Sequence, residues 1–95
     1  MRLPSEYVDF FKAEVTTLRP GAEVYLFGSR ADMTRKGGDV DILVLSQPKL
    51  SWDETAQIRR QFWALFGFQK LDLVCFSPEE PSAFKELVLL DAIRL

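Results

Sequence analysis

The sequence predicts an α/β fold on three observations. Apolar runs of strand length at 23–27, 39–45 and 71–76 are separated by stretches of helical periodicity. Turn residues punctuate the strands, with Gly28-Ser29 closing the first and Gly37-Gly38 preceding the second. Acidic residues open two of these apolar runs: Asp39 and Asp41 in one, Asp72 in the other. Residues two apart in a strand share a face, so Asp39 and Asp41 project together. Like charges held that close repel, and a fold keeps them only with something positive between them. A hard divalent cation with oxygen ligands is the natural candidate. The expectation is a metal-phosphate site, with phosphate on Gly28 and Ser29 and metal on the aspartates.

Composition bounds the rest. Ninety-five residues make one domain spanning 1–95, which buries only about 60–65% of its unfolded surface. Hydrophobic content of 47% is ample for a core, and eight Phe with two Trp exceed what so small a core needs. The surplus fits an interface, where aromatics are enriched. A net charge of −2 lacks the basic footprint of a nucleic-acid binder. The absence of His excludes imidazole general bases and His-ligated zinc. Cys75, the single cysteine, is expected to be a buried, inert thiol. Neither a signal peptide nor a membrane-spanning run is present, so a cytoplasmic protein is expected.

The elements follow in order. Val8, Phe11, Val15 and Leu18 recur at helical spacing, giving a helix over 4–19 that Pro20-Gly21 stops. Residues 23–27 form a strand. Gly28 breaks it, and Ser29 is expected to cap a short helix through about Met33. A strand, a Gly turn and a helix N-terminus favour an anion, and Arg30 adds a cation nearby. As a bare pattern, such a turn is more often only a turn. Residues 34–38 form a polar loop in which Arg35 and Lys36 either reach a triphosphate or are simply solvated.

In the strand 39–45, Asp39, Asp41, Leu43 and Leu45 share one face, and Val40, Ile42 and Val44 the other. Both faces turn apolar after Asp41, as in a central strand whose beginning emerges at a cleft. A pair of solvated strand-end carboxylates is the plain alternative. Ser51 to Glu54 fits a capping box for a helix to about Phe66, with Ile58, Phe62, Leu65 and Phe66 as its apolar face and Gly67 as its stop. Trp52 and Trp63 lie off the centre of that face, and Arg59, Arg60 and Gln61 read as solvated. Asp72 is unusual near the start of an apolar strand, because burying an unpaired charge is expensive. It is either an edge-strand Asp facing water or a third ligand beside Asp39 and Asp41. Ser77 to Glu80 offers a second capping box, leading a helix whose apolar face is Phe84, Leu87, Val88 and Leu90.

The order of these pieces is more specific than any one of them. Gly28-Ser29-Arg30-Ala31, Gly38-Asp39-Val40-Asp41-Ile42-Leu43-Val44 and Leu71-Asp72-Leu73-Val74 carry it. From about Glu23 to Phe76 the chain resembles the minimal nucleotidyltransferases of the DNA polymerase beta superfamily, which pair with HEPN proteins in bacterial and archaeal operons. Many of those pairs are toxin–antitoxin systems. Two small departures stand out: the loop between Ser29 and Asp39 is one residue shorter than is common in the antitoxin group, and Gly38 stands where the family often has Ser.

The resemblance implies a nucleotidyltransferase fold, a small mixed sheet flanked by helices. It implies that Gly28 and Ser29, with Arg30 beside them, bind the phosphates of a nucleoside triphosphate. It implies that Asp39, Asp41 and Asp72 are the catalytic carboxylates and hold Mg2+, two ions in all. ATP is the expected substrate. The expected acceptor is a HEPN toxin encoded nearby, which AMP would neutralise. So short a chain has no dedicated acceptor domain, so a homo- or hetero-oligomer is expected. The alternative is a catalytically silent subunit that binds a nucleotide or the HEPN protein and acts by occlusion. Transfer to RNA or to a small molecule is a third possibility, and the acidic balance argues against RNA.

Overall fold

The computed structural model describes residues 3–31 and 38–95. Helix α1 spans Ser5–Leu18, strand β1 Glu23–Phe27, strand β2 Val40–Leu45, helix α2 Trp52–Phe66, strand β3 Leu71–Phe76, helix α3 Ala83–Leu89 and strand β4 Ile93–Arg94. One 3-10 turn, Gly28–Arg30, follows β1 directly. The expected cap at Ser29 does not form, because the turn already includes it and Phe27 is the residue that precedes. Met33, Arg35 and Lys36 lie outside the described residues.

The sheet is mixed, in the order β3-β2-β1-β4. β1 runs antiparallel to β2 and to β4, and β2 runs parallel to β3 through the α2 crossover. β4 comes from the 91–95 stretch, whose two strand residues are too few to show a period. Val24 and Leu26, Val40, Ile42 and Val44, and Leu71 and Leu73 point to one face, where Phe11 and Val15 of α1 and Ile58 and Phe62 of α2 cover them. The Phe11 and Phe62 rings stack at 5.1 Å, and Tyr7 meets Phe62 edge-on at 5.0 Å. Leu43 and Leu45 are buried on the opposite face, so β2 is central and apolar on both sides, as its pattern predicts.

α2 starts where the sequence says it should. The Ser51 hydroxyl accepts the Glu54 N–H at 3.1 Å, and the Glu54 carboxylate accepts the Ser51 N–H at 2.9 Å. Arg19, at the end of α1, donates to both Glu54 oxygens at 2.8 and 3.1 Å and ties the two helices together. These contacts, the Ser51 N–H first, hold the Glu54 carboxyl below its usual range. Gly67 ends α2 at φ 84°.

Four expectations about the helices need correction. The Ser77–Glu80 box forms its reach-back bond, Ser77 N–H to Glu80 Oε1 at 3.0 Å, yet it closes a turn and not a helix. Pro81 disfavours helical backbone at Glu80. The true cap is Ser82, whose hydroxyl accepts the Lys85 N–H at 3.1 Å. Lys85 is buried, donating to the Pro78 carbonyl at 2.9 Å, so loop and helix hold each other.

The predicted apolar face of α3 is mostly outward. Phe84 meets Phe27 and Phe76 at 6.0 and 6.1 Å, but Leu87 and Leu90 are 69% and 77% exposed. Periodicity marks an apolar stripe and does not say what covers it. On α2, Leu65 is exposed and Trp63 packs instead, its indole donating to the Gln69 carbonyl at 2.8 Å. Arg59 is half-buried, not solvated, and donates to the Leu73 carbonyl of edge strand β3 at 3.2 Å. Trp52 is 77% exposed. Among the described residues, no helix is long and apolar enough to cross a membrane.

Phe62 is fully buried at the centre of the ring cluster. Phe62→Ala is expected to cost about 3–5 kcal/mol and Ser51→Ala about 1 kcal/mol, read as shifts in urea midpoint.

Candidate functional site

Topology gathers three strand ends at one edge of the sheet. β1 is antiparallel to β2, so its end lies beside the beginning of β2. β3 is parallel to β2, so its beginning lies there too. The register puts Phe27, Asp41 and Asp72 in one row across the three strands. Paired strands lie about 4.8 Å apart, so side chains in that row meet. Asp41 and Asp72 are direct register partners in adjacent parallel strands, so their carboxylates face each other in that row. Asp39 immediately precedes β2, which starts one residue later than predicted.

The Asp41 carboxyl is pushed up from its ordinary 3.8 to about 6. Burial is the largest cause, followed by the side-chain interaction with Asp72, then the charges of Asp72 and Asp39. Lys70 works in the opposite direction. Its ammonium lies 3.5 Å from Asp39 Oδ2, on the loop that enters β3.

Gly28 abuts this pair from the β1 side. It has φ +75°, in the left-handed region that glycine tolerates best. A Cβ there would stand 2.2 Å from Asp41 Oδ2 and 3.1 Å from its Cγ. The turn is therefore glycine for two separate reasons, its backbone conformation and the carboxylate against it. The Gly28 carbonyl accepts the Ala31 N–H at 3.2 Å, closing the 3-10 turn through Ser29 and Arg30. Arg30 donates to the Gly38 carbonyl at 3.1 Å, joining the two ends of the segment between them.

The carboxylates are hard oxygen donors, and two that face each other across adjacent strands repel unless a positive charge stands between them. In that respect the residues fit a divalent metal. The expected trio is only partly assembled, however. Asp41 and Asp72 meet, while Asp39 is engaged by Lys70. Among the described residues, no three acidic, Cys or His side chains stand together as a ready cage for one ion. Lys70 itself went unremarked in the sequence. Its signal was a cation two residues before Asp72, the same spacing that singles out Asp39 and Asp41.

The Cys75 thiol is pushed up to about 11, chiefly by burial, as an inert thiol should be. An open hollow of about 240 Å³ at Gln47, Pro78 and Glu79 lies beyond the opposite ends of β2 and β3, away from the carboxylates.

A mixed four-stranded sheet with helices on its faces and an acidic edge has the architecture of the nucleotidyltransferase fold. The chain belongs to the polymerase beta nucleotidyltransferase family, whose model matches residues 21–95. Solved structures share the fold. A toxin–antitoxin MntA–HpeT mutant has TM-score 0.69 at 19% identity, covering 96% of this chain and 69% of that one. A second mutant of the same pair has TM-score 0.67 at 16% identity, covering 95% and 69%. A protein from Shewanella oneidensis has TM-score 0.61 at 16% identity, covering 97% and 71%. No curated protein matches the chain.

Two outcomes are expected at the site. Gly28→Ala should cost about 1 kcal/mol or more, because the left-handed strain adds to the contact with Asp41. Denaturation midpoints check it. For Asp41, the unfolded chain ionises near 3.8 while the folded form keeps its proton to about 6. The group therefore costs stability increasingly as pH rises through that interval, and the cost is complete above it. Asp41→Asn removes this cost, so its melting temperature relative to wild type should rise from about pH 4 to about pH 7. An Asp41 carboxyl titration by NMR should fall to lower pH in Asp72→Asn.

Proposed function

We propose that the protein is a nucleotidyltransferase that moves the adenylyl group of ATP to a hydroxyl of a toxin partner of the HEPN class. Family membership supports nucleotidyl transfer. The observation that carries the catalytic reading is the Asp41–Asp72 pair, opposed across β2 and β3 beside the Gly28 turn. The partner reading rests on the neighbours that are toxin–antitoxin structures.

Divalent cations, Mg2+ in the cell, would supply the positive charge that offsets the phosphate chain and lowers the pKa of the attacking hydroxyl. Asp41, Asp72 and Asp39 would hold them. Gly28 lets a phosphate approach the backbone because no Cβ intrudes, and the turn through Ser29 and Arg30 presents N–H groups and a cation to the β and γ phosphates. The acceptor oxygen forms a bond to the α-phosphorus. The α–β bridging bond breaks, and pyrophosphate leaves with its electron pair. The hydroxyl proton passes to a carboxylate oxygen of Asp72, which stands exposed at the β3 edge where an acceptor can reach it. The surplus aromatic surface, Trp52 and Phe68 included, fits a protein interface.

A second reading is a silent subunit that binds its partner or a nucleotide and acts by occlusion. The engagement of Asp39 by Lys70, which leaves the trio incomplete, favours it. Incubating the protein and its co-expressed partner with labelled ATP and Mg2+ separates the two. Under the first reading label moves to the partner, and Asp41→Asn and Asp72→Asn each slow transfer by at least about 100-fold. No transfer by wild type, or equal transfer by Asp41→Asn, would sink the reading of these carboxylates as an adenylyl-transfer site.

A further inference from the structure

Lys70 stands in the loop between α2 and β3, two residues before Asp72. Its carbonyl accepts the Val40 N–H at 3.1 Å, which docks its backbone against the start of β2. Its side chain leaves from that anchored point and sets the ammonium 3.5 Å from Asp39 Oδ2. The backbone is thus fixed and the head is not: the Lys70 side chain is 68% exposed and that of Asp39 47%. An exposed ion pair of this kind is weak, and a hydrated ammonium on a flexible stem leaves it at little cost.

The consequence lies in charge. Asp41 and Asp72 already face each other across β2 and β3, and Asp39 adds a third acidic group at the same edge. Lys70, on the loop that enters β3, sets a positive charge against that third group. A divalent cation recruiting Asp39 meets the ammonium as a like charge and must displace it. A phosphate chain brought in with the cation offers the displaced ammonium another anion.

We propose that Lys70 is a positioning residue that holds Asp39 apart from the Asp41–Asp72 pair in the nucleotide-free protein, weakens binding of a free divalent cation, and passes to a phosphate oxygen when nucleotide and cation enter together. This rests on the nucleotidyl-transfer reading of the site. Cation and nucleotide are then coupled, each raising the affinity for the other, and Lys70 carries part of the coupling.

The test is calorimetric titration of Mn2+ into the nucleotide-free protein, repeated with the protein saturated by a non-hydrolysable ATP analogue. Lys70→Met is expected to bind Mn2+ about 1.5- to 5-fold more tightly without nucleotide, the range an exposed ion pair supports. The enhancement of Mn2+ binding by the analogue should shrink by at least the same factor, and Lys70→Arg should stay near wild type. A merely structural lysine would move neither quantity. Unchanged or weaker Mn2+ binding by nucleotide-free Lys70→Met overturns the proposal, as does an undiminished enhancement by the analogue. Asp39→Asn separates the failures. If it binds Mn2+ as well as wild type, the carboxylate metal site itself is wrong. If it binds more weakly while Lys70→Met is unchanged, the role of Lys70 alone is refuted.

Discussion

The placement of two carboxylates, Asp41 and Asp72, opposite each other in adjacent strands sets the terms for this molecule. It exists only because β2 and β3 run parallel in a register that opposes those two residues. A slip of one residue would turn every side chain of one strand to the other face and put an aspartate among the core leucines. The register is protected by the apolar residues that alternate with the acids. Val40, Ile42, Leu71 and Leu73 are buried under α1 and α2, and they cannot exchange faces without losing that cover. Core packing on one side of the sheet thus enforces a strained electrostatic arrangement on the other.

The same logic explains why the site lies where it does. In open parallel sheets ligands usually gather beyond the carboxyl ends of the strands, where helix N-termini point. Here the acids stand at the amino ends of β2 and β3, and α2 begins at the far end of the sheet. The antiparallel strand β1 compensates. Its carboxyl end comes to the acidic edge and contributes the Gly28–Arg30 turn. A mixed sheet is therefore what allows a phosphate-type turn and a carboxylate pair to meet. Gly28 then lies so close to Asp41 that no larger residue fits without displacement.

The two faces of the sheet are unequally finished. One carries a dense aromatic core between α1 and α2. The other is covered in part by α3, through the Phe84 ring against Phe27 and Phe76, while Leu87 and Leu90 look outward. The buried Lys85 shows how α3 is held: its ammonium satisfies carbonyls of the preceding loop that have no strand or helix partner. That helix is anchored by polar contacts at its beginning more than by its leucines.

The sequence by itself determined the local elements and the candidate residues. Alternation marked β2 as central, since Val40, Ile42 and Val44 on one face and Leu43 and Leu45 on the other left no polar side. Ser51 and Glu54 announced α2 because a capping box is a bond between residues three apart. The acidic trio and the Gly-Ser turn were visible as departures from apolar runs. Tertiary structure alone decided which of them touch. Ser77-Glu80 satisfied the same box pattern and made only a turn, because Pro81 and a lysine from beyond it outweighed the pattern. Lys70 stood out in no sequence pattern, and only the fold docks its backbone on Val40 and its head near Asp39. At the site first singled out, Asp41 meets Asp72 and Gly28, whereas Asp39 is given to Lys70. Short-range chemistry is written in neighbouring residues, but contacts between strands depend on register and charge balance across the whole sheet, and no single segment carries that information.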